Sequence, residues 1–184
     1  PEDDIELRRL TLVHRGRLPR DLELTTYCEV VLAPDASDRA HPAFSNLFIQ
    51  TEINPDREAI LCHRRPRSPD EQTPCMLHMV VVHGNSSKSI SFETDRARFL
   101  GRGRTPSDAQ TAGKNGALSN TSGAVLDPIL AIRHAITLLP GQPVTIDIVY
   151  GIGESRQQSL ALLEKYRDHP IADRIFELAW SHSL

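Results

Sequence analysis

The chain has 184 residues, of which 39% are hydrophobic and 24% are charged. This composition supports one globular domain with a hydrophobic core and excludes collagen-like, coiled-coil and disordered chains. The 21 basic and 24 acidic residues give a net charge of -3, which argues against a protein drawn to nucleic acid or to anionic membranes by its overall charge. No apolar run approaches the roughly 20 residues of a membrane span, and the acidic N-terminus is unlike a signal peptide.

The first 150 residues show a hydrophobic period of two, which predicts β-strands. After an alternating pattern from Ile5 to Leu12, the predicted strands lie at residues 21–25, 30–33, 45–53, 59–62, 75–83, 89–94, 129–138 and 144–150. In the last of these, Val144, Ile146, Ile148 and Tyr150 share one face, so we expect a half-buried antiparallel strand. Because no helix is predicted between the strands, the fold class is mainly β, an antiparallel β-sandwich.

A helical period of 3.6 begins after Gly151 and predicts helices over residues 154–168 and 170–182. The second helix has one apolar stripe of Ile171, Ile175, Leu178 and Ala179 and another of Phe176 and Trp180. A helix that is apolar on two sides needs two partners, and one sandwich offers a single surface. We therefore predict a sandwich over residues 1–152 and a helical linker over residues 153–184, cut from a longer protein.

The connection from residue 101 to residue 123 is too long for an ordinary turn. It consists largely of Gly, Ser, Thr, Asn and Arg, with almost nothing to bury. Loops of this length and composition are usually functional or disordered.

Metal and cysteine chemistry have little support in the sequence. The three cysteines have unrelated spacings and fall in apolar surroundings, so neither a disulfide framework nor a zinc site is expected. His78 and His83 lie five residues apart on one predicted strand and point to opposite faces, so they cannot share an ion. His134 is interpreted as a core histidine with a satisfied ring nitrogen. We expect no metal and no cofactor.

Glu93 and Asp95 are two residues apart on a predicted strand and would share a face. Such a pair invites comparison with the two catalytic acids of a glycosidase. The alternative is a structural charge network, because Arg96 and Arg98 offer ordinary ion-pair partners. Glycine patterns of nucleotide-binding loops and of nucleophile elbows are absent from the sequence.

Arginine is unusually frequent, since 18 of the 21 basic residues are Arg and three are Lys. Two explanations of this excess are open. One is codon usage in a GC-rich genome, and the other is selection for ligand recognition by planar, bidentate guanidinium groups. Guanidinium groups in loops hydrogen-bond sugar hydroxyls or phosphate, or they fix loop carbonyls and neighbouring acids; the sequence leaves these options open. The aromatic content of 5% disfavours nucleic acid as the ligand. Seven arginines fall in two short stretches at predicted strand ends, namely Arg64, Arg65 and Arg67, and Arg96, Arg98, Arg102 and Arg104.

Several segments resemble, in order, the N-terminal β-sandwich region of glycosyltransferase family 36, now placed with glycoside hydrolase family 94. The likeness is closest to the phosphorylase-like C-terminal module of cyclic β-1,2-glucan synthases. It also extends over the helical ending from residue 154 to residue 180. The segments are YCEVVLAP (27–34), HPAFSNLF (41–48), RRPR (64–67), FETDRARFLGRGR (92–104) and GAVLDP (123–128).

The resemblance implies a galactose-mutarotase-like supersandwich, then linker helices, then an (α/α) barrel that carries the general acid and the phosphate site. Since the barrel is not in this sequence, no catalytic residue is carried over. The expected role is to support the active site of that barrel, with the rest of the parent chain and a β-glucan oligosaccharide as partners and a homodimer as a further possibility. We expect a position on the cytoplasmic face of an inner-membrane protein.

The same likeness makes one loop region the candidate for contact with bound glucan. Its residues are Arg96, Arg98, Arg102 and Arg104 with Glu93 and Asp95, and its neighbours are Arg64, Arg65 and Arg67. The alternative is that Asp95 and Arg96 brace the loop without touching sugar. Two other functions stay open, a free-standing aldose-epimerase-like enzyme using an acid and a histidine, and a structural dimerisation module without a ligand.

Overall fold

The computed structural model describes residues 3–66, 68, 73–84, 87–113 and 116–182. In this part of the chain nine strands form two antiparallel sheets, and five α-helices and two short 3-10 helices accompany them. The strands are β1 (Asp4–Val13), β2 (Arg20–Thr25), β3 (Cys28–Glu29), β4 (Ile49–Asn54), β5 (Ala59–Arg64), β6 (Cys75–Val82), β7 (Ser87–Asp95), β8 (Pro128–Leu138) and β9 (Pro143–Gly153). The α-helices are α1 (Asp35–Ala40), α2 (Pro42–Asn46), α3 (Arg96–Leu100), α4 (Arg156–Arg167) and α5 (His169–His182).

The larger sheet has five strands in the order β1-β9-β6-β5-β4. The smaller sheet is built around β8, which pairs with β7 along one edge and with β2 and then β3 along the other. Side chains of both sheets meet between them in one buried cluster, to which Ile60 and Ile146 contribute from the larger sheet and Ile132 from the smaller. The antiparallel sandwich predicted from the sequence is confirmed.

The outer face of the larger sheet is also covered, so β9 is buried on both sides and the prediction of a half-buried strand is wrong. Helix α4 packs on this face, where Leu163 and Tyr166 join Leu77 and Val149 in a second apolar cluster. The Ser159 hydroxyl donates a hydrogen bond of 2.7 Å to the carbonyl of Cys75 and so fixes the helix to β6. Sequence periodicity in β9 could not show that a helix from the end of the chain returns to cover it.

Helix α5 is held to the larger sheet by a partly buried ionic cluster. The Arg9 guanidinium donates to both carboxylate oxygens of Asp147 at 2.6 and 2.8 Å and also to Asp173 on α5. His83 lies 2.7 Å from Asp147, and its ring centroid is 4.2 Å from that of His169. Burial alone would raise the pKa of Asp147, but hydrogen bonds from Arg9 and His83 keep it below its usual value.

Both apolar stripes predicted for the second helix are partly buried in its first half and exposed near its end. Ile175 packs against the apolar cluster under α4, whereas Leu178 is 49% exposed and Trp180 is 72% exposed. One side of α5 therefore has its partner on the sheet, and the far end of the helix presents apolar surface to solvent. In the described part of the chain, no helix combines the length and hydrophobicity needed to span a bilayer.

Two segments predicted as strand have another structure, and short helices in this part of the chain were not predicted. Residues 30–33 do not form a strand, because β3 ends at Glu29 and Leu32 adopts a left-handed backbone with φ of 42°. Residues 45–48 belong to the end of α2 and the turn after it, since Pro42 starts that helix. Helix α3 follows β7 directly.

The connection from β7 to β8 is an ordered cover over the outer face of the smaller sheet. Ala109 and Leu118 are each 4% exposed and pack with Phe99, Ile129 and Ala131. The expectation that this segment has almost nothing to bury is therefore wrong, because a few small or apolar side chains suffice when they lie over a strand. The connection then reaches the edge of the larger sheet, where the backbones of Thr51 and Gly123 exchange hydrogen bonds of 3.0 and 2.8 Å.

Candidate functional site

The longer of the two predicted arginine stretches, from Arg96 to Arg104, begins where β7 is followed by α3. The Asp95 carboxylate caps this helix by accepting hydrogen bonds from the backbone N–H groups of Ala97 and Arg98 at 2.8 and 3.4 Å. The Arg96 guanidinium donates to the Tyr27 hydroxyl and to the Glu29 carboxylate, both at 3.2 Å. Asp95 thus fixes the start of α3, and Arg96 ties this helix to side chains at β3.

Glu93 and Asp95 do not form the paired-acid arrangement that their spacing suggested. A β-bulge lies between them, and it interrupts the alternation on which the shared face depended. Glu93 is 1% exposed, and its carboxylate accepts hydrogen bonds from the backbone N–H groups of Thr94 and Asp95 at 2.9 and 3.0 Å and from the Ser119 hydroxyl. The two acids occupy separate structural roles, which favours the charge-network interpretation.

The remaining arginines of this stretch lie on the surface. The Arg98 Nε atom is 3.8 Å from the Asp95 carboxylate, and the Arg98 side chain is 61% exposed. Arg104 donates a hydrogen bond of 3.2 Å to the carbonyl of Asp108 and so braces the start of the long connection. Arg102 is exposed.

Arg64 and Arg65, from the shorter stretch, lie at the end of β5 and brace α2. Arg64 donates to the carbonyl and hydroxyl oxygens of Ser45 at 3.0 and 3.1 Å. Arg65 donates to the carbonyl of Leu47 at 3.0 Å, and both guanidinium groups lie over the Phe48 ring. Arg67, the third predicted residue of this stretch, lies outside the described residues.

The two stretches meet through α2. The Asn46 amide donates a hydrogen bond of 3.2 Å to Asp127, and the same carboxylate lies 3.5 Å from Arg96. Apolar side chains are exposed at this junction, with Phe44 at 62% and Leu126 at 78%. We refer to this region, comprising α2, α3, residues 64–65 and residues 126–127, as the arginine end of the sandwich.

A second feature, a groove of about 710 Å³, lies on the outer face of the smaller sheet. Part of the long connection forms one wall, with Ala109 and Thr111, and the strands β2 and β8 form the floor and the other wall. The charged residues that line the groove are Asp21, Glu23, Lys88 and Arg133.

Arg133 is the residue of this groove that sequence reasoning missed. Its guanidinium donates to the Thr25 hydroxyl and to the carbonyls of Thr111 and Gly116 at 2.8, 2.7 and 3.0 Å. It also lies 3.4 Å from the Glu23 carboxylate. The signal is a single arginine in the apolar run of β8, which the sequence pattern indicates only as a strand.

The histidines are placed largely as the sequence indicated. His78 is fully buried and His83 lies beyond the strand end, so the two are in separate environments. His134 is 2% exposed, and its Nδ1 lies 3.0 Å from the Ser87 hydroxyl. Within residues 3–182, apart from the undescribed gaps, no three His, Cys, Asp or Glu side chains are arranged to hold a metal ion.

The two stacked antiparallel sheets with a covering C-terminal helix pair define a β-sandwich protein. The chain belongs to the family described as glycosyl hydrolase 94, supersandwich domain, whose model matches residues 1–169. It is 34% identical over 182 residues to the cyclic beta-(1,2)-glucan synthase NdvB of Rhizobium meliloti (strain 1021), an alignment that covers 99% of this chain. It is 25% identical over 165 residues to the solabiose phosphorylase of Paenibacillus borealis, covering 89% of this chain.

The chain is much shorter than either relative. It spans 6% of the length of the glucan synthase and 20% of the length of the phosphorylase. The supersandwich is therefore one part of much larger proteins in these relatives.

Proposed function

We propose that this supersandwich is a non-catalytic domain of a bacterial glucan synthase or phosphorylase, and that it supports the active site of an (α/α) barrel in the same protein. The observation that carries the proposal is the engagement of Glu93 and Asp95, the two acids that precede α3 at the arginine end. Glu93 holds two backbone N–H groups, and Asp95 caps α3. Acids used in this way shape a surface rather than transfer protons.

The arginine end is proposed as the surface nearest to the bound glucan. Arg64, Arg65 and Arg96 hold α2, α3 and the segment before β8 in one arrangement. Around them the exposed Arg98 and Arg102 offer guanidinium donors for sugar hydroxyls. In this proposal Arg104, Glu93 and Asp95 shape the loop, and Arg67 extends the neighbouring stretch.

The second part of the proposal concerns α5. Its exposed Leu178 and Trp180 provide apolar surface beyond the part of the helix that packs on the sheet. We assign residues 153–184 as the linker toward the barrel, and the whole protein as a membrane protein with this domain on its cytoplasmic side. The product of the glucan synthase relative and the 34% identity to it make a β-1,2-glucan the first candidate ligand.

Titration of the isotope-labelled chain with a β-1,2-linked glucose oligosaccharide, followed by NMR, tests glucan contact at the arginine end. Signals of Arg98, Arg102 and Leu126 should shift, and Arg102→Ala with Arg98→Ala should remove the shifts. The matched control is Arg39→Ala on α1, which removes an exposed arginine paired with Asp35. Unshifted signals would favour a purely structural or dimerisation domain.

A separate assay tests the non-catalytic assignment. The chain alone is incubated with freshly dissolved α-glucose, and the optical rotation is followed against a protein-free solution. We expect the uncatalysed rate, because the two acids are held by backbone groups. Anomeric exchange above that rate would replace the proposal with an aldose-epimerase-like enzyme.

A further inference from the structure

We propose that the groove on the outer face of the smaller sheet is a second binding site, and that it takes a neutral polyhydroxylated chain such as a segment of glucan. The groove is on β2, β8 and the covering connection, and it is additional to the arginine end. Its volume of about 710 Å³ lies within the range of small-ligand sites. Arg133, whose hydrogen bonds hold the covering wall in place, makes the groove a preformed feature.

The charges of the groove are balanced within the groove. Lys88 donates a hydrogen bond of 2.8 Å to Asp21, and Arg133 lies 3.4 Å from Glu23. Two carboxylates facing two cations leave no net field to attract an anion or a cation. A neutral ligand is the chemical class that such a surface favours.

The carboxylates of the groove offer hydrogen-bond acceptors beside small and apolar side chains. Asp21 and Glu23 lie two residues apart on β2 and therefore on the same outward face. Asp21 uses Oδ1 for its bonds to Lys88 and to the Thr137 hydroxyl, and the described residues form no bond to its Oδ2. Sugar hydroxyls donate readily to carboxylate oxygens held in this way.

The groove is deep at its centre because the residue there, Ala135, has a small side chain. Ala135 lies opposite Glu23 across the β2–β8 pair and opposite Ser89 across the β7–β8 pair. Ala109 and Ala112 line the facing wall, with Tyr27 and Phe99 at one end. Small side chains beside an aromatic end leave room for a pyranose ring.

A titration with a β-1,2-linked glucose trisaccharide tests the site, with inorganic phosphate as the anionic comparison. NMR signals of Glu23, Ala135 and Gly113 should shift with the trisaccharide and stay unchanged with phosphate. Asp21→Asn should weaken the binding about tenfold through the loss of one charge-assisted hydrogen bond. Asp35→Asn, which alters an exposed acid paired with Arg39 on α1, should leave the affinity unchanged.

Ala135→Val tests the shape of the site. Valine is favoured in strands, so the sheet should form while the floor of the groove is raised and binding is lost. Thr11→Val, at an exposed position of β1 in the other sheet, is the control. Groove signals that stay unchanged with the trisaccharide, or that shift with phosphate instead, would overturn this proposal. Shifts confined to Arg98 and Leu126 would also overturn it while leaving the proposed function intact.

Discussion

The imidazole ring of His78 is stacked on the phenol ring of Tyr150, with centroids 4.1 Å apart and planes inclined by 3°. The two residues are cross-strand partners on β6 and β9. His78 is fully buried, and its Nδ1 donates a hydrogen bond of 2.9 Å to the carbonyl of Val149 while its Nε2 lies 2.8 Å from the Thr26 hydroxyl. This histidine therefore belongs to the core as a neutral ring.

The first prediction is a loss of stability in mild acid that originates at His78. Burial lowers the pKa of His78 from 6.5 to about 4. As the pH falls below 6.5, the unfolded chain takes up a proton that the folded chain does not, so the free energy of unfolding decreases until about pH 4. The difference between the two pKa values corresponds to roughly 3 kcal/mol.

Urea denaturation between pH 7 and pH 4 measures this effect. His78→Phe should be less stable at pH 7, because it removes two buried hydrogen bonds, but its stability should change less with pH. His41→Ala, at an exposed histidine, should keep the pH dependence of the original chain. An unchanged pH dependence in His78→Phe would contradict the assignment.

The second prediction concerns the ionic cluster under α5. Asp147→Asn should lower the free energy of unfolding by about 3 kcal/mol, since it leaves the partly buried Arg9 without its bidentate partner. Because the pKa of Asp147 is lowered below 3.8 in the folded chain, its contribution is complete above that pH and is lost as the pH falls through the folded value. Denaturant titration at pH 7 and pH 3 measures both effects.

Asp173→Asn is the matched control at the other end of the same guanidinium. Asp173 is 48% exposed, so the loss should stay below about 1 kcal/mol. Equal losses in the two variants would mean that burial of Asp147 is not what gives this contact its strength.

The third prediction is that Arg133 holds the covering connection on the smaller sheet. Arg133→Met removes the donors to the carbonyls of Thr111 and Gly116, so hydrogen exchange over residues 105–113 should accelerate about tenfold. Arg102→Met, at an exposed arginine close to the same segment, should have little effect on these amides. If both variants exchange alike, Arg133 does not anchor the connection.

The fourth prediction compares two glycines of β9. A Cβ atom at Gly153 would lie 2.9 Å from the backbone nitrogen of Ser159, so Gly153→Ala should force α4 away and cost about 1–3 kcal/mol. At Gly151 the nearest atom is the terminal Cδ1 of Ile5, which can rotate away, so Gly151→Ala should cost less. The unfolding temperatures of the two variants measure the difference. A larger loss of stability in Gly151→Ala than in Gly153→Ala would contradict the prediction.

The sequence contains most of the sandwich because its strands alternate locally. The predicted residues 59–62, 129–138 and 144–150 fall within β5, β8 and β9, where one face of each strand meets the core. The pattern within each strand does not show which outer faces of the two sheets are covered by other segments. Val149 is buried by α4 from later in the chain, and Ala131 is buried by the connection that precedes it.

The candidate site also combines features that neighbouring residues predict with features that depend on distant contacts. The two arginine stretches were found because several cations fall close together in the sequence. Their junction through Asn46 and Asp127, and the groove that Arg133 shapes, depend on contacts between residues distant in the chain. A single arginine in an apolar strand carries too little local signal to reveal such contacts.

The exchange of backbone hydrogen bonds between Thr51 and Gly123 has a consequence for association between molecules. β4 is the last strand of the larger sheet, and its outer edge would otherwise offer a template for a strand of another molecule. The bridge at Thr51 occupies the middle of this six-residue strand, and the Thr51 hydroxyl is also bonded to Thr94 at 2.7 Å. A single glycine of the covering connection thus occupies backbone groups at the middle of this edge that a strand of another molecule would need.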